Sequence, residues 1–275
     1  MKTLTTIEEI RSQTYAWRRK GLTVGLVPTR GCLHAGKASL VKASAHRCER
    51  TVVSISAPPK GYTSEDFAAD CAVCESMGAD AVYCPVEGSL RPVREGAAYV
   101  DLPGAELRGE KERAQDFCTA LTRLFHLVKP DRAFFGEKGP RRLAVLRRLV
   151  EELSFGIEVV SCPIVRDRDG LPTASQNRFL SKEERKAALC MLQAARLGRR
   201  MILEGERDAR VVVNAMRNVL AHEPMCKIVA VEALDGSTLA ATEEIRTGVL
   251  VTMEIEIGGK RLSDSFIVAL EERQD

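Results

Sequence analysis

Long apolar runs, an excess of one charge sign and low-complexity segments are all missing from this sequence of 275 residues. Its net charge is only +3, so there is no electrostatic case for binding nucleic acid or an anionic membrane. The longest apolar runs fall far short of the roughly 18 residues that a membrane-spanning helix needs. We therefore expect small-molecule substrates as partners, with no nucleic acid and no membrane.

A secretory signal and a repeated cysteine motif are also missing. Glu8 and Glu9 stand where a signal peptide has its apolar core, so we expect a cytoplasmic protein. Of the nine cysteines, only Cys71 and Cys74 form a C-x-x-C, without a second pair or a nearby histidine. Buried free thiols are the main interpretation, and a metal or redox site is the alternative. No metal-ligating residue is predicted.

The segment from Gly25 to Ser56 is the most informative part of what is present. It begins at the end of an apolar run, continues through a loop rich in glycine and proline into a helical pattern, and ends in a second apolar run. This change of period within about thirty residues is typical of a βαβ unit. Such a unit places the first loop and the following helix N-terminus at the carboxyl edge of the sheet, where ligands and phosphates bind.

His34-Ala35-Gly36-Lys37 lies within that loop and forms a compact group of hydrogen-bond donors. Gly36 allows close approach to the backbone, and the side chains of His34 and Lys37 can face one bound anion. On its own, H-x-G-K is a weak motif, and an ordinary polar loop is the alternative interpretation.

Helical and strand patterns alternate along the first 165 or so residues, which predicts a parallel, doubly wound sheet. A first helix is predicted from Thr3 to Lys20. Beyond Lys182 the pattern changes to a long helix from Glu183 to Glu204, another helix, and three strands. We predict an α/β protein with a Rossmann-like domain at residues 1–166 and a smaller α+β domain at residues 167–275.

Three long segments of the chain are similar to strings that characterise one enzyme family. The first, VPTRGCLHAGKASLV, is similar to V-P-T-M-G-x-L-H-x-G-H-x-S-L-V. The second, PDRAFFGEKGPRRL, is similar to P-D-R-A-Y-F-G-E-K-D-x-Q-Q-L. The third, CPIVRDRDGLPTASQNRFLSKEER, is similar to C-P-I-V-R-E-x-D-G-L-A-M-S-S-R-N-x-Y-L-S-x-E-E-R. On these strings the chain resembles the pantothenate synthetases, a family of the nucleotidylyltransferase superfamily, and the resemblance spans nearly the whole chain.

This resemblance implies a ligase that uses ATP and Mg to adenylate pantoate, after which the amine of β-alanine displaces AMP. It also implies a small C-terminal domain of the lid type and a homodimer. Carried over by position, catalytic roles fall on His34, Lys37 and Lys138. The positions implied in ATP binding are Thr29, Gly31, Gly36, Gly136, Lys138, Ser175, Gln176 and Arg178. The positions implied in substrate binding are Arg30, Ala57, Lys60 and Arg142.

Several of these positions depart from the family strings. A cation replaces the family's Met at Arg30, its second His at Lys37 and a Gln at Arg142. The segment SAPPKGY resembles F-V-N-P-T-Q-F, and we assign the missing Asn and Gln to Ala57 and Lys60. Cations gathered in one cleft repel one another unless an anion compensates them, which favours a ligand more anionic than pantoate. The alternative is loss of chemistry, with the chain a non-catalytic binding or assembly partner, that is, a pseudoenzyme.

Overall fold

The computed structural model of the protein describes residues 1–56, 61–85, 90, 98–103, 107, 114–236, 240–246 and 248–270. The chain forms two compact units, Met1–Pro163 and Ile164–Asp275, each with its own buried core. The first unit ends at Pro163, whereas the sequence patterns place the division of the predicted domains between residues 166 and 167.

The first unit is built on a six-stranded sheet in which every pairing is parallel. Its strands are β1 (Lys2–Leu4), β2 (Val24–Thr29), β3 (Arg50–Ile55), β4 (Ala81–Tyr83), β5 (Arg132–Gly136) and β6 (Glu158–Cys162). Their order across the sheet is β1-β4-β3-β2-β5-β6. The order reverses between β2 and β5, and such a reversal in an open parallel sheet marks the place where ligands bind.

Helices cover both faces of this sheet. They are α1 (Ile7–Arg18), α2 (Ala35–Arg47), α3 (Ser64–Ser76), α4 (Ala114–Val128) and α5 (Pro140–Glu152). Consecutive strand residues point to opposite faces, so Leu26 packs in the cluster formed with α1, α4 and α5, whereas Val27 packs with α2 and α3. The predicted α/β class with a doubly wound parallel sheet is confirmed.

The predicted first helix from Thr3 to Lys20 is wrong at its start, because residues 2–4 form the edge strand β1. Leu4 lies opposite Tyr83 in the parallel pairing with β4. The helix begins only after Thr6, whose side chain accepts a hydrogen bond from the Glu9 backbone in a capping box.

The second unit combines helices with an antiparallel sheet of three strands. Its elements are a 3-10 helix (Ser175–Phe179), α6 (Lys182–Ala188), α7 (Cys190–Leu203), α8 (Ala209–Ala221), β7 (Lys227–Asp235), β8 (Gly248–Ile257) and β9 (Lys260–Ala269). The strands follow chain order, β7-β8-β9. This arrangement confirms the predicted α+β character of the second part of the chain.

The single helix predicted from Glu183 to Glu204 is two helices, α6 and α7. Between them, the backbone N–H of Leu189 donates to the carbonyl of Lys186 at 3.2 Å, three residues back rather than four. The turn tightens there, and the regular hydrogen-bond pattern of the α-helix is interrupted. Within the described part of the chain, no helix is both long and apolar enough to cross a membrane.

Candidate active site

The loop after β2 and the turn after β5 leave the sheet side by side. These two strands are parallel neighbours, with Gly25 opposite Arg132 and Leu26 opposite Ala133. Helix α2 follows the first connection and helix α5 the second. Neither helix has an acidic residue in its first turn, so their positive N-terminal ends are not neutralised from within the helix. This edge of the first unit is suited to anions.

His34 is the N-cap of α2, as the sequence predicts for a donor cluster at a helix start. Its Nδ1 accepts a hydrogen bond from the backbone N–H of Gly36 at 3.2 Å. A neutral imidazole whose Nδ1 accepts carries its proton on Nε2. His34 therefore caps the helix with one ring nitrogen and has a donor on the other.

Lys37 lies in the first turn of α2, where its Nζ donates to the carbonyl oxygen of Gly31. Burial lowers the pKa of Lys37; Asp70 and Cys32 act in the opposite direction, and Arg30 and Arg142 lower it further. An ammonium group has three N–H donors, so the bond to Gly31 leaves Lys37 able to make others. Arg30 directly follows β2, and Lys37 and Arg142 lie in the first turns of α2 and α5, so three cations lie at this edge of the sheet.

The backbone between β2 and α2 requires glycine at residue 31. Gly31 has φ of +76°, and a Cβ there would lie 2.8 Å from the Tyr62 ring and 3.2 Å from Asp70 Oδ2. The Gly31 N–H points back to Thr29 Oγ1 at 3.3 Å, and that hydroxyl donates to the Ser54 carbonyl at 2.9 Å. The predicted site residues Thr29 and Gly31 thus shape the loop through their backbone and hydroxyl groups.

Asp70 on α3 holds the same loop from the other side and was not among the predicted residues. It is 4% exposed; its Oδ1 accepts from the Leu33 N–H at 2.7 Å and its Oδ2 from the Tyr62 hydroxyl at 2.6 Å. Burial and the bond to Asp70 raise the pKa of Tyr62. The available signal was an aspartate four residues before Cys74, which places both residues on the same face of the helix.

The turn after β5 carries the remaining predicted residues of the first unit. Gly136 ends the strand, Lys138 lies in the turn, and Gly139 caps α5 without a side-chain hydrogen bond. Arg142, in the first turn of α5, is half-buried, with its guanidinium carbon 5.6 Å from the centre of the Phe117 ring. This contact orients Arg142 at the α5 end of the edge.

Predicted residues of the second unit lie on its 3-10 helix, at positions 175, 176 and 178. Between them, Asn177 is 7% exposed and donates to Asp167 Oδ2 at 3.2 Å and to the Pro172 carbonyl at 3.0 Å. Gln176 and Arg178 are exposed. Asn177 thus anchors the turn and leaves the side chains on either side of it accessible.

An ion-pair network holds the 3-10 turn in place through Asn177. Arg185 donates to Asp167 Oδ2 at 2.8 Å and to Asp169 Oδ2 at 2.7 Å. Burial raises the pKa of Asp167, but hydrogen bonds from Arg185, Thr173 and Asn177 outweigh that effect, so its pKa lies below the usual range. Asp167 is therefore a fixed anion to which the 3-10 turn is tied. The sequence patterns did not identify this network.

The predicted site residues that the structure describes are thus divided between the two units. Ala57 and Lys60, assigned to substrate binding, lie outside the described residues. In the part of the chain that is described, no group of three His, Cys, Asp or Glu side chains is arranged to hold a metal ion. All nine cysteines are free thiols.

Comparisons with known proteins agree with the sequence resemblance. The family model of pantoate-beta-alanine ligase matches residues 2–267. Pantothenate synthetase of Ruminiclostridium cellulolyticum is 37% identical over 97% of this chain and 98% of its own. That of Clostridium botulinum is 34% identical over 98% of this chain and 100% of its own.

Solved structures lead to the same family. The crystal structure of pantothenate synthetase from Thermus thermophilus has a TM-score of 0.84 and 30% identity, covering 97% of this chain and 99% of that chain. The ligase from Francisella tularensis shares the fold, with a TM-score of 0.72 at 21% identity, and the match covers 97% of both chains. Since the family model, the relatives and the shared fold each extend over nearly the whole chain, this protein belongs to the pantoate-beta-alanine ligase family.

Proposed function

We propose that this protein is an AMP-forming ligase that joins pantoate to β-alanine through a pantoyl adenylate. The observation that carries the proposal is the edge between β2 and β5 in a chain of this family. Two helix N-termini without acidic first turns begin there, and His34, Lys37 and Lys138 lie on or beside them. We expect the protein to act in the cytoplasm as a homodimer.

The first step places negative charge where these donors are. A carboxylate oxygen of pantoate attacks the α-phosphorus of ATP, and the bond from that phosphorus to the pyrophosphate oxygen breaks. The Nε2–H of His34 and the ammonium groups of Lys37 and Lys138 stabilise the charge that develops on the phosphate oxygens. In the second step the β-alanine amine attacks the acyl carbon, and the bond to AMP breaks.

The donors present fit ATP better than they fit a metal ion. They are N–H groups and cations, which bind phosphate oxygens and repel Mg²⁺. Mg²⁺ commonly binds through substrate phosphates and water, and we propose that it enters with the nucleotide. The Francisella tularensis ligase was crystallised in complex with beta-gamma ATP and beta-alanine, which supports ATP as the nucleotide. The ATP-binding roles of Thr29, Gly31, Gly36, Gly136, Ser175, Gln176 and Arg178 are part of this proposal.

A second candidate is adenylation of an acid more anionic than pantoate. In addition to burial, Arg30 and Arg142 lower the pKa of the half-buried Lys37, because a nearby cation disfavours a second positive charge. A substrate with an additional phosphate or carboxylate would relieve this repulsion, whereas pantoate carries a single charge. Arg30 and Arg142 would then bind the additional anionic group.

Titration calorimetry with Mg²⁺ and α,β-methylene-ATP, in which the bond that breaks is blocked, tests these candidates. For the pantoate ligase, we expect nucleotide binding that becomes tighter when pantoate is present, since both ligands occupy one reaction centre. Binding that is indifferent to pantoate but tightened by a phosphorylated or dicarboxylic acid supports the second candidate. No nucleotide binding would overturn both and leave a non-catalytic relative.

A further inference from the structure

The segment 30–34, which we name the His34 loop, has an unfavourable backbone. Gly31 and Cys32 follow each other with φ of +76° and +52°. A side chain in this left-handed region costs energy, and such a conformation persists only when its surroundings hold it. The loop ends at His34, the N-cap of α2, so whatever holds the loop also sets the position of the imidazole.

Asp70 is placed to hold it. Its Oδ1 accepts from the N–H of Leu33, the residue immediately before His34, at 2.7 Å. It lies 37 residues further along the chain, on α3, and at 4% exposure it is almost fully removed from water. A buried carboxylate that accepts from a backbone N–H makes a stronger bond than a neutral acceptor would.

Tyr62 holds Asp70 in turn. Its hydroxyl donates to Asp70 Oδ2 at 2.6 Å, and its ring lies against Gly31, where a Cβ would come within 2.8 Å. One residue thus contacts both the loop and the carboxylate that supports the loop.

We propose that Asp70 is a positioning residue for the ligase reaction, which holds the His34 loop in its reactive geometry and is itself oriented by Tyr62. The inference rests on the proposed function. In this proposal Asp70 does not contact pantoate or ATP. It acts through Leu33 on the position of His34. Its charge also acts on Lys37, whose pKa it raises against the effects of burial, Arg30 and Arg142, with Cys32 acting in the same direction as Asp70.

Three variants separate these effects when AMP release is measured with ATP, pantoate and β-alanine. For Asp70→Ala we expect kcat to fall about 100-fold, because a misplaced catalytic group costs about that much. Asp70→Asn keeps an acceptor for Leu33 N–H and recovers most of kcat at its optimal pH. Tyr62→Phe loses only the hydroxyl, and we expect a fall of about threefold to tenfold in kcat. Glu65→Gln, an exposed acid on α3, is the matched control and leaves kcat unchanged.

The pH profile of kcat/KM distinguishes an effect of the Asp70 charge from a purely structural role of Asp70. Lys37 must be protonated to bind an anion, and Asp70 raises the pKa of Lys37. Removing the negative charge in Asp70→Asn lowers that pKa, so the high-pH limb of kcat/KM moves to lower pH. Tyr62→Phe keeps the charge, and its limb stays in place. Wild-type kcat in Asp70→Ala, or no rescue by Asp70→Asn, overturns the inference.

Hydrogen exchange at the Leu33 amide separates failure of this inference from failure of the proposed function. We expect protection in the wild type and in Asp70→Asn, and fast exchange in Asp70→Ala. If the wild type releases no AMP with these substrates, the proposed function fails, and the exchange pattern still shows whether Asp70 holds the loop. Fast exchange in the wild type overturns the inference even if AMP is released. Should Asp70→Ala not fold, Asp70→Asn and Tyr62→Phe provide the kinetic comparison.

Discussion

Replacing Lys138 by alanine is expected to lower ATP-dependent AMP release by about 100-fold or more, and replacing His34 is expected to do the same. Lys138 lies in the turn between β5 and α5, and His34 caps α2, which begins beside that turn at the same edge of the sheet. In the proposed reaction, both side chains supply N–H donors where charge develops on the phosphates. Loss of one such donor removes stabilisation that the transition state needs more than the bound substrate does.

His34 has a second role that the experiment must separate from the first. Its Nδ1 accepts from the Gly36 N–H, and loss of a capping acceptor by itself costs about 0.5–2 kcal/mol of stability. His34→Ser keeps a capping oxygen but has no imidazole, so we expect it to fold like the wild type and to lack activity. Full activity in His34→Ser would remove His34 from the mechanism.

Matched controls for both variants lie on α2, the helix that His34 caps. His46 and Lys42 are exposed on α2, and their alanine variants remove the same chemical groups away from the edge. We expect both to keep the wild-type rate of AMP release. A similar loss of rate in His46→Ala or Lys42→Ala would indicate a general effect of charge or folding, and the roles of His34 and Lys138 would then be unsupported.

Arg166→Met is expected to destabilise the second unit by about 3–5 kcal/mol in denaturant unfolding followed by circular dichroism. Arg166 makes two bonds to Asp264, Nη1 to Oδ2 at 2.8 Å and Nη2 to Oδ1 at 2.9 Å. The Asp264 side chain is 0% exposed. The variant removes the cation and leaves a carboxylate buried without it, and the desolvation cost of that charge is no longer offset.

Two further variants test that explanation. Arg166→Met combined with Asp264→Leu removes both charges, and we expect it to recover most of the lost stability, because an apolar pair of similar volume often replaces a buried ion pair without cost. Arg246→Met breaks an ion pair in which the side chains of Arg246 and Glu244 are 78% and 63% exposed. We expect this variant to change stability by less than about 1 kcal/mol. Equal losses in Arg166→Met and Arg246→Met would show that burial of Asp264 is not the cause.

The elements around the site were predicted well where their signals are local. The βαβ unit predicted for the segment from Gly25 to Ser56 is present, with strands Val24–Thr29 and Arg50–Ile55. The intervening helix begins at Ala35, where the His34 side chain caps it. Such patterns are readable because strand and helix periods depend on neighbouring residues.

Errors occurred where distant residues decide the backbone. Thr3 and Leu4 continue a helical pattern, yet they form a strand because β4, nearly eighty residues away, offers free hydrogen-bonding groups. In the sequence, Asp70 looked like any other polar residue of a helix. Only the fold shows that it is buried and bonded to Leu33. The pair of Arg166 and Asp264 spans 98 residues and has no local signal.

Contiguous residues were enough to establish the family, the parallel sheet and the position of His34 at a helix start, because motifs and periodicity are local properties of a chain. Which groups support that histidine depends on the folded arrangement. Buried N–H groups and carboxylates must find partners, and which partner lies within reach depends on how α3 packs against the loop after β2. It is this long-range satisfaction of buried polar groups that places Asp70 and Tyr62 beside the His34 loop.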